Sequence, residues 1–209
     1  MSASLAHPTP LEARVCSHEW VADARRLGRW MLVVPNAAGV RILRRHGKRH
    51  LVAAWQGLIG TEPSGAVVPQ QWRLLEMLPQ PGSEAEARCR ELVRSPLVTG
   101  LQRSGDGKLG CRVRVPYDLA IFDGHFPTIP ILPGVVQVGW AVDLARTHLQ
   151  VGGRFTGITA TKFRRLVQPG MDLALTLGHR REAGELRFEY LFGDALVSTG
   201  RVLFRDADA

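Results

Sequence analysis

Phe122-Asp123-Gly124-His125-Phe126-Pro127-Thr128-Ile129-Pro130-Ile131-Leu132-Pro133-Gly134-Val135-Val136-Gln137 sets a histidine beside a glycine, passes through three prolines and opens an apolar run. Residues 133–150 predict a helix with proline in its first turn, where a missing N–H costs nothing. Val135, Val136, Val138, Trp140, Ala141, Val142, Leu144 and Ala145 make that helix apolar nearly all round, which predicts burial. A base held beside a helix N-terminus, whose unbonded N–H groups can polarise a carbonyl, suits chemistry on a thioester.

Downstream, four runs have strand character: residues 157–165, 172–180, 185–192 and 196–205. Turn signals separate the last of them, Pro169-Gly170, Ala183-Gly184 and Gly193-Asp194, so a meander is expected. Upstream, Cys111-Arg112-Val113-Arg114-Val115 alternates polar and apolar residues and predicts a strand entering the motif. One buried helix followed by four antiparallel strands implies an α+β hotdog fold, a sheet wrapped around a central helix.

The segment Gly124-His125-Phe126-Pro127, then Pro130-Ile131-Leu132-Pro133-Gly134, resembles the active-site segment of the hotdog-fold 3-hydroxyacyl-ACP dehydratases. Thr161-Lys162-Phe163-Arg164-Arg165 with Val167 and Pro169-Gly170 is similar to a second segment of that family. Within it, Val135-Val136-Gln137-Val138-Gly139-Trp140-Ala141 looks most like the dehydratase-like proteins of aryl-polyene clusters. The resemblance covers about residues 96–205. It implies dimers with the acyl tunnel at the interface, histidine and carboxylate coming from different chains. A homodimer and a heterodimer with another hotdog subunit both follow.

The clearest seam is Pro79-Gln80-Pro81-Gly82-Ser83-Glu84, followed by a short polar helix over 84–93. It divides the chain into residues 1–92 and a hotdog domain over 93–209. In the first part, residues 11–21 predict a helix and Trp30-Met31-Leu32-Val33-Val34 a strand. A second helix is expected over 48–58, ending at Gly60. Residues 67–75 predict an edge strand, since Pro69 would not be tolerated in a central one. Leu11-Glu12-Ala13-Arg14-Val15, His18, Trp20-Val21-Ala22-Asp23-Ala24, Val68-Pro69, Trp72-Arg73 and Leu78-Pro79 resemble the C-terminal subdomain of acyl-adenylate-forming ligases. The lysine that contacts the acyl-adenylate in those ligases is missing, because residues 80–90 contain none. The resemblance implies a small α/β appendage, a degenerate subdomain kept for packing or docking.

Composition narrows the function classes. The chain has 209 residues, 45% hydrophobic and 22% charged, and a formal net charge of +8, so it can bury a real core. No run approaches the roughly 18–20 apolar residues of a membrane helix, and the N-terminal residues carry no export pattern. Cys16, Cys89 and Cys111 are odd in number and far apart. Neither disulfides nor a thiolate metal site is expected, and the cytoplasm is the natural compartment. The basic run Arg44-Arg45-His46-Gly47-Lys48-Arg49-His50 reads as a solvated helix face or loop, with partner docking as the alternative, and the glycine weakens a metal reading of His46 and His50. Arginines scattered without interleaved aromatic residues argue against nucleic acid. An acidic acyl carrier protein agrees with the surplus of basic charge.

Dehydration of a 3-hydroxyacyl thioester needs a base for the C2 proton, donors for the thioester oxygen and an acid for the departing C3 hydroxyl. His125 suits the base, and the N–H of Gly134 or Val135 suits the oxyanion. Gly134 would let substrate approach the backbone closely. Phe126 is expected in the wall. Through the resemblance, Phe163 and Arg164 join the substrate-binding set, with Arg164 either a solvated strand end or a contact for an acidic carrier or pantetheine phosphate. The family carries Glu or Asp fourteen residues after the histidine, and here that position is Gly139. Asp143 lies roughly 6 Å further along the same helical face. It is the candidate acid, the alternative being a polar group paired with an arginine such as Arg146. No cofactor and no metal are expected. Two other readings stay open: a non-catalytic hotdog partner that binds acyl carrier protein, and an acyl thioesterase.

Overall fold

In the computed structural model, residues 9–60, 68–80, 82–105, 107–126 and 128–205 are described. Pro127 of the motif, Val67 of the expected edge strand and Pro81 of the seam lie outside them. The chain divides into two compact units, Met1–Val93 with Pro116–Pro130, and Arg94–Val115 with Ile131–Ala209.

The first unit opens with α1 (Pro10–Cys16). Thr9 and Glu12 cap it reciprocally: the Glu12 N–H donates to Thr9 Oγ1 at 3.3 Å and the Thr9 N–H to Glu12 Oε2 at 2.6 Å. The helix expected to reach residue 21 stops here, because residues from Val21 onward pair as β1 (Val21–Leu27) against β2 (Trp30–Pro35). Gly28 (φ 58°) makes that hairpin turn. Next comes α2 (Ala37–Ile59), begun by Asn36, whose side chain accepts from the N–H groups of Ala38 and Gly39. It is longer than the expected 48–58 helix and is broken at Gly47 (φ 77°), so that expectation describes its second limb. It ends at Gly60, as expected. Then β3 (Gln71–Leu74) pairs in parallel with β2 at the sheet edge, and α3 (Ser83–Arg90) follows. Leu43, Leu51, Trp55 and Ile59 of α2 recur at helical spacing and meet Val15, Met31, Val33 and Leu74 in one core.

The second unit is a six-stranded antiparallel sheet with one long helix. Its elements are β4 (Leu97–Ser104), β5 (Lys108–Arg114), α4 (Gly134–Leu149), β6 (Arg154–Phe163), β7 (Asp172–Arg180), β8 (Glu185–Phe192) and β9 (Ala195–Arg205). Their order in the sheet is β4-β5-β7-β8-β9-β6. Leu109, Cys111 and Val113 on β5, Leu173, Leu175 and Leu177 on β7, and Leu186, Phe188 and Tyr190 on β8 alternate inward. α4 packs against these three strands. This is the α+β hotdog arrangement. Two expectations need correction. The last four strands are not a simple meander, since β6 crosses to pair with β9. Nor is α4 buried all round: Val138, Ala141 and Ala145 are buried, but Val135 is 75% exposed and Asp143 and Arg146 are exposed too.

Candidate functional site

The motif begins in a 3-10 turn, Ala120–Asp123. The N–H groups of Gly124 and His125 both donate to the Ile121 carbonyl, at 3.3 and 2.9 Å, which pins the His125 backbone. Phe126 follows with φ 57°, an uncommon left-handed conformation for a residue bearing a side chain. Its carbonyl accepts from the Ile129 N–H at 3.0 Å and closes the turn. The His125 ring is half-buried and tilted 57° to the Phe126 ring at 4.4 Å between centroids, while Phe126 stays exposed. A tight turn followed by a left-handed residue thus sets the backbone from which the His125 and Phe126 side chains project.

In the second unit, the Leu132 N–H donates to the Val167 carbonyl at 2.7 Å and leads into Pro133, which is the N-cap of α4 rather than a first-turn residue. Among the described residues no side chain caps α4. The Val136 N–H turns back to the Pro133 carbonyl at 3.1 Å, whereas Gly134 and Val135 stand where helical N–H groups have no intrahelical acceptor. At Gly134 the sequence expectation needs sharpening. The place a Cβ would take lies 2.4 to 2.7 Å from atoms of the Phe163 ring. The side that glycine leaves free is therefore occupied by Phe163, which is itself half exposed. Next to it, the Arg164 N–H donates to the Val197 carbonyl at 2.8 Å and its side chain is exposed. Gly134, Phe163 and Arg164 thus form one neighbourhood.

Gly139 differs from Gly134. A Cβ there would meet nothing within 4 Å. Asp143, one turn on, is exposed; its backbone carbonyl accepts from Thr147 Oγ1 at 2.9 Å. Arg146 is occupied elsewhere, reaching the Gly153 carbonyl at 3.5 Å and lying 5.7 Å from the Phe204 ring centre.

Some polar groups escaped sequence reasoning. Gln137, on α4, is buried and accepts from Ser198 Oγ at 2.7 Å, while its backbone carbonyl accepts from the Tyr190 hydroxyl at 2.9 Å. Burial pushes the Tyr190 hydroxyl far above its ordinary pKa. A lone glutamine amid apolar helix residues was the available signal. In the first unit Asp118 pairs with both Lys48 and Arg73, side chains that come from three separate segments. Burial pushes the Asp118 carboxyl up, against the pull of the two cations.

Cys16, Cys89 and Cys111 are all free thiols, each raised in pKa chiefly by burial. Among the described residues no group of three or more His, Cys, Asp or Glu could hold a metal, and no helix is long and apolar enough to cross a membrane. The His46 and His50 rings do approach to 4.8 Å, across the break at Gly47.

A family profile described as ApeI dehydratase matches residues 101–201. A chain of the dehydratase heterocomplex ApeI:P from Xenorhabdus doucetiae is similar in structure, with a TM-score of 0.50 and 30% identity, over 53% of this chain and 99% of that one. This chain belongs to the ApeI-like dehydratase family. The ApeI-like region is also similar to 3-hydroxyacyl-[acyl-carrier-protein] dehydratases FabZ. That of Cereibacter sphaeroides is 41% identical over 80 residues, 32% of this chain and 50% of the relative. That of Sorangium cellulosum is 36% identical over 101 residues, 43% of this chain and 65% of the relative. The ApeI-like chain therefore spans half to under two thirds of the length of these curated relatives.

Proposed function

We propose that this chain is a 3-hydroxyacyl-ACP dehydratase-like protein, acting on acyl thioesters in fatty-acid-like or aryl-polyene biosynthesis. The observation that carries this reading is His125, pinned by the Ile121 carbonyl within a family segment whose far end is the uncapped start of α4. In the proposed reaction His125 takes the C2 proton. The charge that builds on the thioester oxygen is met by the N–H of Gly134 or Val135. The C3–O bond then breaks, the hydroxyl leaving as water once protonated, and a C2=C3 double bond remains. Asp143 is the proposed proton donor. Phe126 and Phe163 line the acyl path, and Arg164 meets the carrier. The partner is an acyl carrier protein bearing a 4'-phosphopantetheine thioester, in the cytoplasm. The proposed division is a hotdog domain over residues 93–209 and a degenerate ligase subdomain over residues 1–92, although Pro116–Pro130 belongs to the first compact unit. The hairpin, helix and parallel strand of the first unit are compatible with that last assignment.

A second reading has its own support. Gly139 offers no proton and Asp143 is exposed, so the chain would serve as a non-catalytic partner of an active hotdog subunit. The similar chain of known structure is itself part of a dehydratase heterocomplex.

Incubation with a 3-hydroxyacyl-ACP, followed by mass spectrometry of the carrier, separates the readings. Enoyl product abolished by His125→Ala supports the enzyme. An undiminished rate in Asp143→Asn removes Asp143 from the mechanism. The absence of enoyl product from the chain alone, with product appearing when an active hotdog subunit is added, supports the partner. Release of free acid would point to a thioesterase and overturn both.

A further inference from the structure

Within the first unit, β2, the second limb of α2, β3, Leu92, Val93 and residues 118–123 line a cleft of about 500 Å³. That is well within the range of small-molecule sites. None of the side chains proposed for thioester chemistry lines it. Its apolar walls include Trp30, Val52, Trp72 and Leu92. Trp72 stacks on Trp55 at 5.8 Å and 27°, which holds its indole fixed. The Trp72 N–H is buried without a hydrogen-bond partner among the described residues.

Charge distinguishes this cleft from an ordinary gap in packing. Lys48, Arg73 and Asp118 line it together, and the single carboxylate of Asp118 serves both cations. The side chains of Arg73 and Asp118 are only 8% and 7% exposed, and that of Lys48 is 25% exposed. Arg73 Nη1 also donates to the carbonyls of Cys89 at 2.9 Å and Glu91 at 2.7 Å, partners that carry no formal charge. At the rim, the exposed Arg49 and Asp123 offset one another. The cluster therefore holds one more positive than negative charge, and a proton taken up by Asp118 would only widen the surplus. Unbalanced charge beside low-dielectric walls is costly until an anion balances it.

We infer that this cleft binds a small monocarboxylate with a flat apolar body, an aromatic acid, its carboxylate against Lys48 and its ring against Trp30 and Trp72. The carboxylate balances the surplus of the Lys48–Asp118–Arg73 cluster, and the indole faces supply area for the ring.

The probes are 2-naphthoate and its uncharged counterpart 2-naphthalenemethanol, titrated into the full chain by calorimetry and tryptophan fluorescence. We expect the carboxylate to bind at least tenfold more tightly than the alcohol. Lys48→Met leaves Asp118 paired with Arg73 and should bring naphthoate down to the level of the alcohol, with an unchanged circular dichroism spectrum. Leu92→Glu, at a wall position that is 58% exposed, sets a like charge at the site without touching the core. It should weaken naphthoate at least tenfold while sparing the alcohol, and it decides the matter if Lys48→Met does not fold. Equal binding of the two probes, no binding of either, or naphthoate affinity unchanged in a folded variant would overturn the inference.

Discussion

Replacing Gly139 by glutamate tests stability and chemistry at one position. Gly139 lies inside α4 with ordinary helical backbone angles, and the place of its Cβ is open to 4 Å. A mid-helix glycine costs about 1 kcal/mol relative to alanine, and glutamate is within a few tenths of alanine, so Gly139→Glu should stabilise by about 0.5–1 kcal/mol. For a chain of this size that corresponds to a rise in Tm of about 1–4 °C. Gly139→Ala should give a similar rise and serves as the control without a carboxyl group. If the absent acid limits turnover, the glutamate should also raise the rate of enoyl-ACP formation by about 10²-fold or more, the usual worth of a placed general acid. Thermal unfolding by circular dichroism and product analysis by mass spectrometry read the two effects separately. A fall in Tm of several degrees in both variants would refute the open space at Gly139. A stabilised glutamate variant with the wild-type rate would refute the idea that position 139 is where the acid belongs.

Other positions give sharper structural tests. Glu185 accepts from Arg187 at 2.6 Å and has Arg201 at 3.5 Å and Arg180 at 4.0 Å, and its carboxyl is held below the ordinary value, chiefly by the Arg187 hydrogen bond. A lowered folded-state pKa stabilises above the unfolded value of about 4.3, and that contribution is lost as pH falls through the lower folded value. The Tm difference between the wild type and Glu185→Gln should therefore be largest near neutrality and close below about pH 4. Gly39→Ala should destabilise by about 1–3 kcal/mol in urea titration, because its Cβ would stand 2.3 Å from the Trp20 carbonyl oxygen. Gln137→Leu keeps the volume but leaves the fully buried Ser198 hydroxyl without its acceptor, which should cost about 1–3 kcal/mol by the same measurement.

Periodicity served best where local pattern and tertiary burial coincide. β7 and β8 were delimited at the residues where they occur, since strands that bury one face write the alternation into the sequence. The first limb of α2 is hard to read from sequence because Arg41, Arg44 and Arg45 mask its apolar stripe, although Asn36 is a good N-cap. β4 is hidden for a related reason. It lies at the sheet edge, exposed along almost its whole length, with Gly100 at φ 61° and a register shift nearby, and so carries no alternation. The Lys48–Asp118–Arg73 cluster left no local trace at all, for its members are brought together only by the fold.

The two glycines of α4 show how far a motif can be trusted. Both were read from one family pattern, Gly134 as a kept residue and Gly139 as a lost carboxylate. The surroundings invert what their shared lack of a side chain means. At Gly134 the place of the missing Cβ is taken by the Phe163 ring, so alanine would have to displace the end of that half-exposed side chain. At Gly139 nothing has moved in. Had the position been given over to the core, close packing would favour a neighbour filling the gap, since interiors tolerate few voids. An unfilled position on a half-exposed stripe of α4 leaves room for a substrate group or for a side chain from a second hotdog subunit, and the second case is testable. Gly139→Glu would then compete with an added active subunit for the same space. A drop in joint activity with the wild-type partner, alongside a raised Tm of the variant alone, is the signature that distinguishes occupation of this space from simple loss.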